Sequence, residues 1–305
     1  MERFVNLRSV GRAKASGPVI GGVNPPAGAI ASLNAWGVPM ESFVAELVDG
    51  TRRIKCLLNV YDPHVDVVPR WRGERHPWTG VEHPNLVHVL CSGRDHQSRR
   101  LYWAVALAPF GLRLEQLVRR FARAGVWPQE EIALYLVAEA AAGLSELHRR
   151  KLECMVLAPA SVYVSPEAEL RLAPGGPQQL SYLAPERVKG TAAGAPADVF
   201  QLGIILYELL ERRHPTRAPE SQIMEVLRQL AEGKIEPPRR ASPKLAQLLL
   251  AMLARRPRDR PRADEVRECL RGHFDEAQAK ALLLGAAGYG AEPRPPAQGR
   301  SMFKT

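Results

Sequence analysis

Apolar and polar positions follow different rhythms along this chain, and each rhythm predicts a kind of element. The run VFQLGIILYELL, Val199 to Leu210, is broken only by Gln201 and Glu208. A helix apolar on nearly every face belongs in the middle of a domain. Asp198 immediately precedes it, placed to cap the helix start by accepting orphan backbone N–H groups. Residues Pro128 to Arg150 read as a long amphipathic helix, with acids in its first turn and His148-Arg149-Arg150 at its end. Shorter helical periods cover Ser221 to Leu230, Lys244 to Ala254, Ala263 to Leu270 and Phe274 to Leu284. Glu41 to Leu58 instead reads as a hairpin, two β-rich runs flanking the turn signal Asp49-Gly50. The Gly/Pro-rich stretch within residues 1–33 predicts loop or edge structure with at most short strands. The closing GAAGYGAEPRPPAQGRSMFKT predicts a mobile tail.

Composition narrows the picture modestly. With 305 residues, 46% of them hydrophobic, the chain can bury a sizeable core. Cys56, Cys91, Cys154 and Cys269 show no CxxC spacing, so they read as reduced thiols of a cytosolic protein. MERFVNLRSV lacks the long apolar segment of a signal peptide, and no run of about 18 uncharged apolar residues predicts a membrane span. The net charge of +10 raises a nucleic-acid reading, densest at RRPRDRPR, Arg255 to Arg262. No nucleic-acid fold motif accompanies it, so solvated arginine-rich surface is the preferred reading, and nucleic acid is not the expected ligand. The same basicity favours an acidic protein partner.

The most informative stretch is Tyr182 to Pro215, YLAPERVKGTAAGAPADVFQLGIILYELLERRHP. Its A-P-E, the D-V-F-x-L-G-x-x-L-Y-E-L run and the closing H-P resemble the C-terminal lobe of a eukaryotic-type (Hanks-type) protein kinase. YLAPERV looks most like the bacterial Ser/Thr members. The resemblance implies an α+β, two-lobe fold: a small β-rich N-lobe with one short helix C, and a larger, mostly α-helical C-lobe. It divides the chain into a poorly defined segment or first-strand region at 1–33, an N-lobe at 34–108, a C-lobe at 109–273, and an extra helix with flexible tail at 274–305. It also implies a buried ion pair between Glu186 and Arg260, and an Asp198 that braces the catalytic-loop backbone.

By the same resemblance, Arg53-Ile54-Lys55 stands where the family has V-A-I-K, which puts Lys55 at the position that contacts nucleotide phosphates. Glu74, nine residues before His83-Pro84-Asn85, stands at the helix C glutamate that pairs with this lysine. Gly73 and Pro77 in the same helix predict that it is short or broken. The family's three arch glycines fall on Ala35, Gly37 and Met40, so backbone approach to phosphates is impaired. The hinge residue that normally offers its N–H to adenine falls on Pro109, which has none.

The chemistry is where the pattern departs. Where the family reads H-R-D-L-K-P-E-N, this chain has Cys154-Met155-Val156, then Ala158 for the lysine and Ser161 for the asparagine. Pro174 replaces the metal-binding aspartate. Phosphoryl transfer needs a carboxylate near the attacking hydroxyl and oxygen ligands that hold magnesium on the phosphates. A positioned base contributes roughly 10²–10⁴ in rate. Glu153, Glu167 and Glu169 are near in sequence and are expected to face solvent. Between Gly176 and Ala184 only PQQLSYL remains of the activation segment. The resemblance therefore implies a pseudokinase with no catalytic and no metal-binding residues, a scaffold or allosteric regulator of a protein partner such as an active kinase. No cofactor is expected, with room left for weak, magnesium-independent ATP binding at Lys55 and Glu74. The alternatives are an ATP-binding nucleotide sensor and a residual or atypical phosphotransferase. The expected location is cytoplasmic, with no membrane attachment.

Overall fold

The computed structural model describes residues 4–12, 40–49, 51–61, 76–95, 101–106, 111–125, 127–154, 157–174, 179–191, 193–219 and 221–287. Five strands make an antiparallel sheet in the order β1-β2-β3-β5-β4: β1 (Phe4–Arg12), β2 (Met40–Asp49), β3 (Arg52–Tyr61), β4 (Val89–Arg94) and β5 (Leu101–Ala106). The hairpin forms as the sequence predicts, with a small shift. Asp49 pairs with Arg52, so Asp49 is the last strand residue and Gly50-Thr51 makes the connection. β1 is nine residues long, more than the short strand expected of residues 1–33. It lies at the sheet edge and its pairing slips twice, between Val5 and Arg8 and between Ser9 and Gly11. Such irregularities suit an edge, where they interrupt the template for further pairing.

Side-chain alternation sorts the sheet into two faces. Ala45, Leu47, Cys56, Leu58, Val60 and Ala104 form a small cluster of their own. On the opposite face Leu57, Trp103 and Val105 join the large core that runs through the rest of the molecule. No helix forms over His76–Val81, which is turns plus an isolated bridge from Thr79 to Val89. Pro77 therefore sits in a turn and not in a helix, as its missing N–H and fixed φ favour. Gly73 and Glu74 lie outside the described residues, as do Ala35, Gly37 and Pro109.

Eight α-helices follow among the described residues: α1 (Leu114–Ala124), α2 (Glu130–Arg149), α3 (Pro185–Val188), α4 (Ala195–Glu211), α5 (Ile223–Glu232), α6 (Pro243–Met252), α7 (Ala263–Arg271) and α8 (Glu276–Ala287). A three-stranded sheet joins β6 (Leu112–Arg113), just before α1, to β7 (Val162–Val164) and β8 (Leu170–Leu172), which lie between α2 and α3 in sequence. The apolar helix α4 is buried along most of its length, with Phe200, Leu202, Ile204, Leu206 and Tyr207 sealed from solvent. It begins at Ala195, earlier than its apolar run, because Pro196 in the first turn supplies a preset φ and has no N–H to satisfy. Asp198 is consequently inside the first turn and does not cap the helix, whose cap residue is Gly194.

One seam joins the sheet to the helices. The Val87 N–H donates to the Leu172 carbonyl at 2.8 Å, and the Leu172 N–H to the Asn85 carbonyl at 2.8 Å. The Asn85 amide also donates to Glu139 Oε2 at 2.8 Å and to the Leu170 carbonyl at 3.1 Å. Gly143 on α2 permits this approach, since a Cβ there would stand 2.9 Å from the Asn85 carbonyl oxygen. No helix among the described residues is long and apolar enough to cross a membrane.

Candidate functional site between the lobes

Lys55 lies on β3 opposite Glu46 and shares its strand face with Leu57, which packs toward the large core. Its side chain is exposed. The facing Glu46 accepts from Arg53 at 3.4 Å. Glu74, its expected partner, is outside the described residues, and so is Val156. The structure therefore gives no geometry for a Lys55–Glu74 pair.

Ser161, at the position of the family's metal-binding asparagine, sits at the end of a 3-10 turn, Pro159–Ser161, and is 2% exposed. Its hydroxyl donates to the Ala158 carbonyl at 3.0 Å and accepts the Ala158 N–H at 3.2 Å. Its own carbonyl accepts from the Ala173 N–H at 2.9 Å. A buried hydroxyl bonded in both senses to neighbouring backbone is a turn-former. Pro174 follows directly and is also buried. Among the described residues no group of three or more His, Cys, Asp or Glu side chains is gathered to hold a metal ion.

The nearby acids behave unequally. Glu167 and Glu169 are exposed, Glu167 accepting from Ser165 at 2.8 Å and Glu169 from Arg171 at 3.1 Å. Glu153 does not face solvent as expected. It is largely covered, and its carboxylate accepts from Arg187 at 3.2 Å. Arg187 reaches Asp198 Oδ1 at 3.3 Å as well. Asp198, fully buried, accepts the Cys154 N–H at 2.8 Å and contacts His148 Nε2 at 3.0 Å. The aspartate thus braces the backbone of the catalytic-loop equivalent, as its position implies. Arg187 and His148 complete a polar cluster that the sequence reading missed; they lie 11 and 50 residues before Asp198, and no local pattern ties them to it. Trp78 adds an apolar buttress, its indole N–H donating to the Glu153 carbonyl at 3.2 Å. His76 packs beside Trp78 and Trp103, and burial lowers its pKa from 6.5 to about 4.

The remnant of the activation segment is built inward. Leu180–Tyr182 form a 3-10 turn with Ser181 and Tyr182 buried. The Ser181 carbonyl faces His214 Nε2 at 2.9 Å, and the Tyr182 hydroxyl bonds Glu208 on α4. Beyond it, Glu186 and Arg260 form the bidentate pair at 2.7 and 2.8 Å. The Arg260 guanidinium also donates to the carbonyls of Ala254, Pro196 and Arg255 and lies 4.7 Å from the Phe200 ring centre.

This architecture, a curled antiparallel sheet joined to a helical body around a buried α4, is a two-lobe α+β fold of the protein-kinase kind. The family model for the protein kinase domain matches residues 177–270. The tyrosine-protein kinase MasK of Myxococcus xanthus is 25% identical over 288 residues, 83% of this chain and 44% of that protein. The serine/threonine-protein kinase PrkC of Bacillus subtilis is 22% identical over 185 residues, 55% of this chain and 28% of its own length. A shorter stretch of 83 residues is 37% identical to the serine/threonine-protein kinase PknD of Chlamydia caviae, 27% of this chain and 9% of that protein. These matches support a relationship to Hanks-type kinases, with bacterial Ser/Thr kinases among the relatives. The chain spans less than half the length of each of these relatives.

Proposed function

We propose that this chain is a pseudokinase: a protein-kinase-like scaffold that regulates a protein partner, such as an active kinase, and transfers no phosphate itself. The observation that carries the reading is the use made of Ser161. Its hydroxyl is spent on the Ala158 backbone, and the next position that should ligate magnesium is Pro174, whose side chain has no oxygen. The valine at 156, where the family has its catalytic aspartate, has no side-chain oxygen to act as the base of phosphoryl transfer. The lobes as divided at 34–108 and 109–273, and a cytoplasmic location, belong to the same proposal. The relatives carry kinase names, and that activity is theirs.

A second reading, a nucleotide sensor, draws on the exposed Lys55 ammonium, with Glu74 as its partner in a vestigial phosphate site. Thermal melting with millimolar ATP, in magnesium or in EDTA, tests both. A ligand that binds only the folded chain raises its melting point. The scaffold reading predicts no shift; a shift that is equal in EDTA and lost in Lys55→Met supports the sensor. A shift that requires magnesium contradicts both readings.

A further inference from the structure

A cavity of about 370 Å³ opens where α3 meets the loop before α7, far in sequence from Lys55 and Ser161. Lys189, Arg255 and Arg256 line it, and Pro185 and Pro257 give it rigid apolar walls. All three cations are exposed, and none makes a side-chain ion pair or hydrogen bond among the described residues. The acid that also lines the cavity, Glu186, is already matched by both arms of Arg260. The neutralising partner inside the cavity is therefore taken, and three positive charges converge unanswered on a small volume.

From this we infer that the cavity is a docking site for a phosphorylated side chain on a peptide segment of another protein. A phosphomonoester concentrates nearly two negative charges and three acceptor oxygens in one group. Guanidinium forks match such an oxygen triangle bidentately, and an ammonium serves as a point charge beside them. Scattered carboxylates would not place equal charge in one cavity. A nucleic-acid strand would use a longer groove with aromatic platforms for bases, and no aromatic residue lines this cavity. Arg255 is held for the purpose: its stem lies over Gly233, where a Cβ would stand 3.0 Å from Arg255 Cβ. The inference rests on the partner-directed reading only in taking the ligand to be part of another protein; an active cleft would leave the cavity unchanged.

The test is fluorescence anisotropy of the full chain with a labelled peptide carrying one phosphoserine among glycine and alanine, beside its unphosphorylated twin. The phosphopeptide should bind at least about tenfold more tightly, with an affinity that falls as salt is added. Lys189→Glu with Arg256→Glu should abolish the difference while leaving the melting point in place, because both side chains are exposed and unpaired. Should that variant fail to fold, Lys189→Gln with Arg256→Gln serves instead. Equal binding of the two peptides, or a phosphopeptide affinity unmoved by the folded variant, overturns the inference. So does a single-stranded DNA of matched charge that binds equally tightly and with the same dependence on Lys189 and Arg256. Phosphate transfer measured on the same samples reports on the cleft alone, so failure here and failure of the pseudokinase reading remain distinguishable.

Discussion

Asp198 and Ser161 are both buried polar residues of the helical lobe, and they do opposite things with their oxygens. Asp198 reaches outward across the chain, to the backbone of Cys154, to His148 and to Arg187. Ser161 closes on itself, bonded in both directions to a residue three positions away. The first arrangement holds separate segments at fixed distance. The second ties up the hydroxyl's proton and one of its two lone pairs within a single turn. The polar groups that hold the helical lobe together are intact, whereas the one retained oxygen at a metal-ligand position serves only its own turn.

That contrast can be broken most severely at Arg260. Arg260→Leu strands Glu186 as a buried, unmatched carboxylate, and breaking such a pair costs about 3–5 kcal/mol. Urea unfolding should report a large fall in midpoint. A small change would mean that the pair is not an anchor.

The buried histidines give a pH signature. Burial lowers the pKa of both His76 and His214 from 6.5 to about 4. The sign follows from linkage: above about 6.5 both are neutral, folded or unfolded, and stability is complete. As pH falls from 6.5 toward 4 the unfolded chain takes up protons that the folded chain refuses, and stability declines. The slope is about 1.4 kcal/mol per pH unit for each histidine, so the loss reaches about 3 kcal/mol each near pH 4. His76→Gln should flatten that slope between pH 6.5 and 5, a window above the titration of the ordinary carboxylates. An unchanged slope rejects the assignment.

Asp198→Ala should cost about 2–3 kcal/mol, because it orphans the Cys154 N–H and uncouples Arg187 and His148. At the seam, Gly143→Ala drives a methyl group against the Asn85 carbonyl and should cost about 1–3 kcal/mol in thermal or chemical unfolding. Gly285→Ala on α8, where a Cβ meets nothing within 4 Å, is the matched control and should stabilise by up to about 1 kcal/mol. The smallest effect is expected at the cleft. Ser161→Ala removes only local turn bonds and should cost about 1 kcal/mol, with no loss of any nucleotide response.

Much of this was legible in the residues. The all-apolar run made α4, the acid-to-base helix made α2, and Asp49-Gly50 marked the hairpin to within one residue. The Glu186–Arg260 pair and the bracing role of Asp198 followed from the motif alone. What escaped was decided by tertiary packing. Asp198 precedes an apolar run and so reads as a cap, but Pro196 starts the helix earlier and turns the carboxylate toward Cys154. Glu153 reads as surface charge until Arg187 arrives from 34 residues away. Gly73 and Pro77 predicted a short or broken helix, yet nothing local announced that Pro77 would sit in a turn and that His76 and Trp78 would be sealed against Trp103. Non-local partners leave no period in a sequence.

The central claim is that the cleft has lost the oxygens that phosphoryl transfer requires. Incubating the purified chain with radiolabelled ATP and magnesium or manganese, with and without a general protein substrate, tests it most directly. The account predicts no label incorporated above a protein-free blank, in the parent chain and in Lys55→Met alike. Incorporation by the parent that Lys55→Met abolishes would contradict it.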